Sequence, residues 1–62
     1  MTHVFRYVFT GPTGYQQLRS FAANTLDDAD TRAQAARAAG GWVDARLDAI
    51  DGVPVPEAEP NE

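Results

Sequence analysis

The chain has no cysteine and no lysine, a single histidine, and no uninterrupted hydrophobic run longer than a few residues. Each absence removes a class of protein. Without Cys there are no disulfides and no thiolate zinc sites. Without Lys, five Arg are the whole fixed positive charge against nine Asp and Glu, and the formal charge is −4. Polyanion affinity rests on cations that neutralise phosphates, so nucleic acid is not an expected partner. No segment nears the roughly 20 apolar residues of a membrane span. Arg6 interrupts the apolar start, which falls short of the roughly 7–15 apolar residues of a signal-peptide core. No membrane partner and a cytoplasmic location are therefore expected. At 62 residues there is room for one domain, and one this small buries only about 60% of the surface its unfolded chain exposes.

Proline is also unevenly spread. Pro54, Pro56 and Pro60 crowd the C-terminal stretch with Glu57, Glu59 and Glu62. Such spacing neither continues a helix nor occupies a central strand. The expected organisation is an α+β domain over residues 1–56 and a disordered acidic tail over 57–62. Residues 1–56 hold six Asp and five Arg, so the body is nearly neutral and the tail carries most of the excess charge.

What is present is patterned. His3, Phe5, Tyr7 and Phe9 alternate with Val4, Arg6, Val8 and Thr10, which predicts a strand over 3–10. Gly11-Pro12-Thr13-Gly14 follows, then a second strand over 15–23. Pro12 suits the first central position of a type I turn and Gly14 the left-handed position after it. That bulged loop sets Val8 opposite Leu18, Tyr7 opposite Arg19, Arg6 opposite Ser20 and Phe5 opposite Phe21. A two-residue loop would oppose Arg6 and Arg19, an unfavourable like-charge pair.

Thr25 reads as a helix N-cap, with Asp27, Asp28 and Asp30 at the positive end of the dipole and Arg37 near the other. Leu26, Ala29, Ala33, Ala36 and Ala39 share one helical face, and Gly40-Gly41 ends the helix. Residues 42–50 are ambiguous. Val43, Leu47 and Ile50 fit a helix face, but Val43, Ala45, Leu47 and Ala49 alternate with Asp44, Arg46 and Asp48. The alternation and the Asp51-Gly52 turn signal favour a strand, with Val53–Val55 pairing weakly beside it. The predicted fold is thus a small single-layer antiparallel sheet with one helix on one face. Its element order is β-β-α-β with a short fourth strand at 53–55. A right-handed crossover gives strand order 2-1-3, with Phe5, Phe9 and Phe21 beneath the helix and Val43 and Leu47 alongside.

Catalytic signals are sparse. Nucleophilic catalysis lacks Cys and Lys, and His3 lies at the chain start. The Asp residues are accounted for by helix capping and by the wet side of a strand, and no calcium-loop pattern occurs. No cofactor, metal or enzymatic role is expected. A phosphate-loop reading of Gly11–Gly14 lacks the following Lys-Ser or Lys-Thr. The Phe5, Tyr7, Phe9 ring row lacks the basic surround of an RNA-stacking sheet.

The sheet face away from the helix is the candidate site. It is predicted to carry Val4, Arg6, Val8, Leu18, Trp42, Arg46 and Ile50, and a single helix cannot cover it. Exposed apolar side chains with Trp and Arg among them suit a protein interface. For Trp42 the alternative is that it folds over the helix end and closes the core. The expected function is a non-enzymatic protein-interaction module or inhibitor acting through this face or an edge strand. Its partner is another protein or a second copy, which would make a homodimer. In size, lack of Cys and α+β class the chain resembles phage-encoded inhibitors of host machinery, anti-CRISPR proteins among them; that is a likeness of class with no shared motif. The alternative is an acidic nucleic-acid mimic occupying a basic groove on its partner.

Overall fold

The computed structural model describes residues 1–55; Pro56 and the tail expected over 57–62 lie outside the described residues. Strand β1 (His3–Thr10) is followed by β2 (Gln16–Ala23), helix α1 (Leu26–Gly40), β3 (Asp44–Ile50) and the two-residue β4 (Val53–Pro54). The strands form one antiparallel, unclosed sheet in the order β2-β1-β3-β4, with the helix packed on one face. The predicted α+β class and the 2-1-3 order both hold, and β4 extends the sheet beyond β3.

The first hairpin has the bulged register. Val8 faces Leu18, Tyr7 faces Arg19, Arg6 faces Ser20 and Phe5 faces Phe21, without interruption along the strand. The loop closes through Gly11 N–H to the Tyr15 carbonyl at 2.7 Å and Gly14 N–H to the Gly11 carbonyl at 3.0 Å. Gly14 has φ 91°, a conformation that costs glycine little. The second hairpin turns through Asp51 and Gly52, at φ 52° and 82°. Two left-handed residues in succession match the right-handed twist of the flanking strands.

Helix α1 carries the expected caps. Thr25 Oγ1 accepts the Asp28 N–H at 3.2 Å, and Asp27 and Asp28 lie in the first turn. At the other end Gly41, at φ 73°, donates to Ala38, and the Trp42 N–H donates to Arg37 at 2.9 Å. This double closure satisfies carbonyls that the helix itself leaves open.

Helix and sheet meet through small side chains against large ones. Ala29 and Ala33 are fully buried and cluster with Phe5, Tyr7, Phe9, Ala23 and Ala45. Phe21, Ala36, Trp42, Leu47 and Ile50 pack around this centre. The rings interlock edge-on: Tyr7 and Phe21 meet at 5.9 Å and 82°. Only the middle of the predicted helix face is buried, since Leu26 and Ala39 at its ends are exposed. Val43, expected alongside the core, is 61% exposed because it precedes β3. The core has one polar flaw. The Tyr7 hydroxyl is buried with no hydrogen-bond partner among the described residues, a loss of about 1–3 kcal/mol against a partnered one. Burial and the nearby Asp30 carboxylate both hold its pKa above the ordinary phenol value.

Alanine at position 33 sets the spacing of the two layers. Ala33→Leu is expected to lower unfolding free energy in urea by about 1–3 kcal/mol through overpacking. Ala35→Leu, on the exposed side of the same helix, should stay within about 0.5 kcal/mol. Equal effects at the two positions would contradict close contact at Ala33.

Candidate functional site

Pairing fixes which side chains share the face away from the helix. Val8 stands between Leu18 of β2 and Arg46 of β3, and Arg6 lies between Ser20 and Ala49. Thr10 lies between Gln16 and Asp44, while Val4 faces Ala22. Val4, Arg6, Val8, Leu18 and Arg46 therefore come together as the alternation predicts. Leu18 and Val4 are 56% and 46% exposed.

Two expected members do not join them. Strict alternation from Arg46 would put Ile50 on this face. The register between β1 and β3 instead shifts between Arg6 and Tyr7, so Arg6 pairs with Ala49 and Tyr7 with Leu47. Asp48 is the extra residue, and the bulge reverses the phase beyond it. Ile50 pairs with Phe5 and packs on the core side. Trp42 precedes β3 and closes the end of the core, as the alternative reading had it. Its ring meets Phe9 edge-on at 5.7 Å and stacks on Tyr15 at 6.1 Å. A Cβ on Gly40 would stand 2.6 Å from its Nε1, so the ring lies directly on the end of the helix.

Without Trp42 and Ile50 the face is a mixed surface. Arg6 donates from Nε and Nη2 to Asp48 Oδ2, at 2.8 and 2.7 Å. Arg46 Nε lies 3.4 Å from Asp44. Both pairs are more than a third exposed, so each contributes at most about 1 kcal/mol to stability. They do break up the apolar area, leaving Leu18 and Val8 as one short ridge and Val4 beyond Arg6.

The free edge of β2 is the more unusual feature. Gly11 and Tyr15 are hydrogen-bonded opposites, so alternation along an antiparallel pair makes 17, 19, 21 and 23 the residues bonded to β1. The Thr10 and Val4 carbonyls of β1 bond away from β2, to Val43 and Asp51, consistent with that phase. The backbone N–H and C=O of Gln16, Leu18, Ser20 and Ala22 consequently point out of the sheet. Proteins ordinarily guard such an edge with Pro, Lys, a bulge or brevity. The opposite edge is guarded in two ways: β4, with Pro54 in it, covers Ala49 and Ile50 of β3, and the short uncovered part of β3 carries the charged Asp44, Arg46 and Asp48. β2 runs eight residues without Pro, Lys or bulge. Its one charge, Arg19, is turned onto the helix side, where its guanidinium carbon lies 5.7 Å from the centroids of both Phe9 and Trp42. Sequence reasoning found the register of Arg19 but not this stacking, because the position of Trp42 depends on how the helix ends.

A third cluster joins the chain start to the β3–β4 turn. Asp51 Oδ1 accepts the Val4 N–H at 2.8 Å, and Oδ2 lies 2.7 Å from His3 Nδ1. The Val4 hydrogen bond, then the His3 bond, hold the Asp51 pKa below its usual value. This His–Asp pair pins β1 to the turn. Among the described residues no group of three or more His, Cys, Asp or Glu is placed to hold a metal ion. None of their helices is long and apolar enough to cross a membrane. No protein-family model, no curated protein and no solved structure matches this chain.

A folded-state pKa below the unfolded one means that ionised Asp51 stabilises the fold above its unfolded pKa. That contribution disappears as pH falls through the folded pKa. Asp51→Asn keeps a residue that tolerates left-handed backbone. The wild-type melting temperature should therefore drop more steeply below pH 4 than that of Asp51→Asn, since about that pH free carboxylates begin to protonate. Parallel pH profiles would contradict the assignment.

Proposed function

We propose that this chain is a non-enzymatic interaction module that accepts a partner's strand along the free edge of β2. Leu18 and Val8 of the adjoining face would supply side-chain contact. The observation that carries this reading is the asymmetry of the two sheet edges, one covered in part by the proline-bearing β4 and charged along the rest of β3, the other eight residues long with Arg19 as its one charge. Strand addition draws affinity from main-chain hydrogen bonds and specificity from alternate side chains. The outward residues suit it: Ser20 and Ala22 are small and let a second backbone approach, while Leu18 offers one apolar anchor. Val4, Arg6 and Arg46 flank this region.

The acidic-mimic alternative is the weaker one. Asp28, Asp44, Asp48 and Asp51 each lie within 3.5 Å of a basic group of the same chain. The first three face an Arg and Asp51 is engaged by hydrogen bonds to Val4 and His3, and the remaining body acids, Asp27 and Asp30, sit at the helix start where the dipole accounts for them.

Ser20→Pro separates the two readings. The Ser20 N–H points outward, so proline there removes no bond to β1 while blocking an added strand. The variant should keep a native far-UV circular dichroism spectrum and lose proteins that the immobilised wild-type chain retains, whereas Asp27→Asn should retain them. Retention by Ser20→Pro would overturn edge docking, and loss through Asp27→Asn would favour mimicry.

A further inference from the structure

Resting on the strand-addition reading, we infer that the strand accepted by β2 is β2 of a second copy, paired antiparallel about a two-fold axis at Ser20. The inference comes from register. In an antiparallel ladder, outward residues must face outward residues. A symmetric pair can therefore place its axis only at one residue of β2 facing itself. Two such registers overlap most of the strand. With the axis at Arg19, residues 16–22 pair, but Arg19 stands directly opposite the partner's Arg19, and like charges directly opposed destabilise a sheet. With the axis at Ser20, residues 17–23 pair and the conflict disappears.

The second register is complementary throughout. On the open face Ser20 meets the partner's Ser20, and Leu18 meets the partner's Ala22, large against small. On the helix side Arg19 lies opposite the partner's Phe21, whose ring it flanks as it already does those of Phe9 and Trp42. Gln17 lies opposite the partner's Ala23. Registers with the axis at Leu18 or Phe21 pair only residues 16–20 or 19–23, five of β2 instead of seven; the Leu18 axis leaves the outward backbone groups of Ala22 unpaired and the Phe21 axis those of Gln16 and Leu18. Those groups are what makes an exposed edge available for pairing in the first place.

The other edge explains why association stops at two. A filament needs an open edge at each end of the sheet. β4 with its Pro54 covers Ala49 and Ile50, and the short remainder of β3 carries the charged Asp44, Arg46 and Asp48, so the second copy adds no second unguarded edge. The product is a continuous eight-stranded sheet, with both helices on one side and both Leu18–Val8 ridges on the other. Pairing of one strand buries less than the roughly 1,200 Å² of a standard interface, so the dimer is weak.

The absence of native cysteine makes the register directly readable. Hydrogen-bonded opposites lie about 5.5 Å apart at Cα, which a disulfide spans. Under mild oxidation Ser20→Cys should form a covalent dimer roughly tenfold or more faster than Leu18→Cys or Ala22→Cys alone, because pairing raises the local thiol concentration. An equimolar mixture of Leu18→Cys and Ala22→Cys chains should cross-link at a rate close to that of Ser20→Cys. Sedimentation of the wild-type chain over loadings of about 10 μM to 1 mM, which bracket weak association, should show monomer passing to dimer and no larger species. Faster self-linking of Leu18→Cys than of Ser20→Cys would overturn the register. Monomer at every loading, with all cysteine variants equally slow, would overturn the second copy as occupant. The strand-addition reading would then stand or fall on the Ser20→Pro capture result.

Discussion

Alanine methyls of the helix lie directly on the aromatic rows of the sheet, and most of the architecture follows from that contact. Ala29 and Ala33 let α1 come close to Phe5, Tyr7 and Phe9, so three rings and a few small residues form a continuous core. A helix this narrow and close covers one sheet face and no more. The opposite face and the outer edge of β2 are left open by the same packing that stabilises the domain. In a small protein with no disulfide framework this core is the main source of stability, which makes the Ala-to-ring spacing the feature least tolerant of change.

Much of this was legible in the residues because local signals agreed with one another. Alternation in β1, the Pro12 and Gly14 turn chemistry and the penalty on opposing Arg6 to Arg19 together specify the β1–β2 register. Thr25, the acidic first turn and Gly41 bound the helix in the same way. The candidate face was readable up to Arg46 and then lost phase. A single extra residue at Asp48 reverses every side chain after it, and no local preference announces such a bulge. Trp42 escaped for a different reason. Its place over Gly40 and beside Tyr15 is a tertiary fit between a helix end and a hairpin loop, and only the assembled fold defines that space. The partners of Arg19 and Asp51 were hidden likewise, since each reaches across elements distant in sequence.

Charge looks different once the partners are in place. The acidic balance suggests a negative surface, yet most body aspartates answer a basic group nearby, and the excess belongs to glutamates at 57, 59 and 62. Arg19 lays its exposed guanidinium beside the Phe9 and Trp42 rings on the helix side, so its charge selects the pairing register without blocking the edge. A guarded edge and an unguarded edge in one sheet give the molecule a direction for association, and the backbone rather than a large apolar patch becomes its adhesive surface.

Amide hydrogen exchange followed residue by residue tests this claim most directly, because it reads the backbone groups themselves. At low chain concentration the amides of Leu18, Ser20 and Ala22 should exchange nearly as in an unprotected peptide, while those of Arg19 and Phe21, bonded to β1, exchange slowly. Raising the concentration, or adding a protein that binds the chain, should slow the first three selectively. Outward amides of β2 that remain unprotected in the associated state, with protection arising elsewhere on the molecule, would contradict the account.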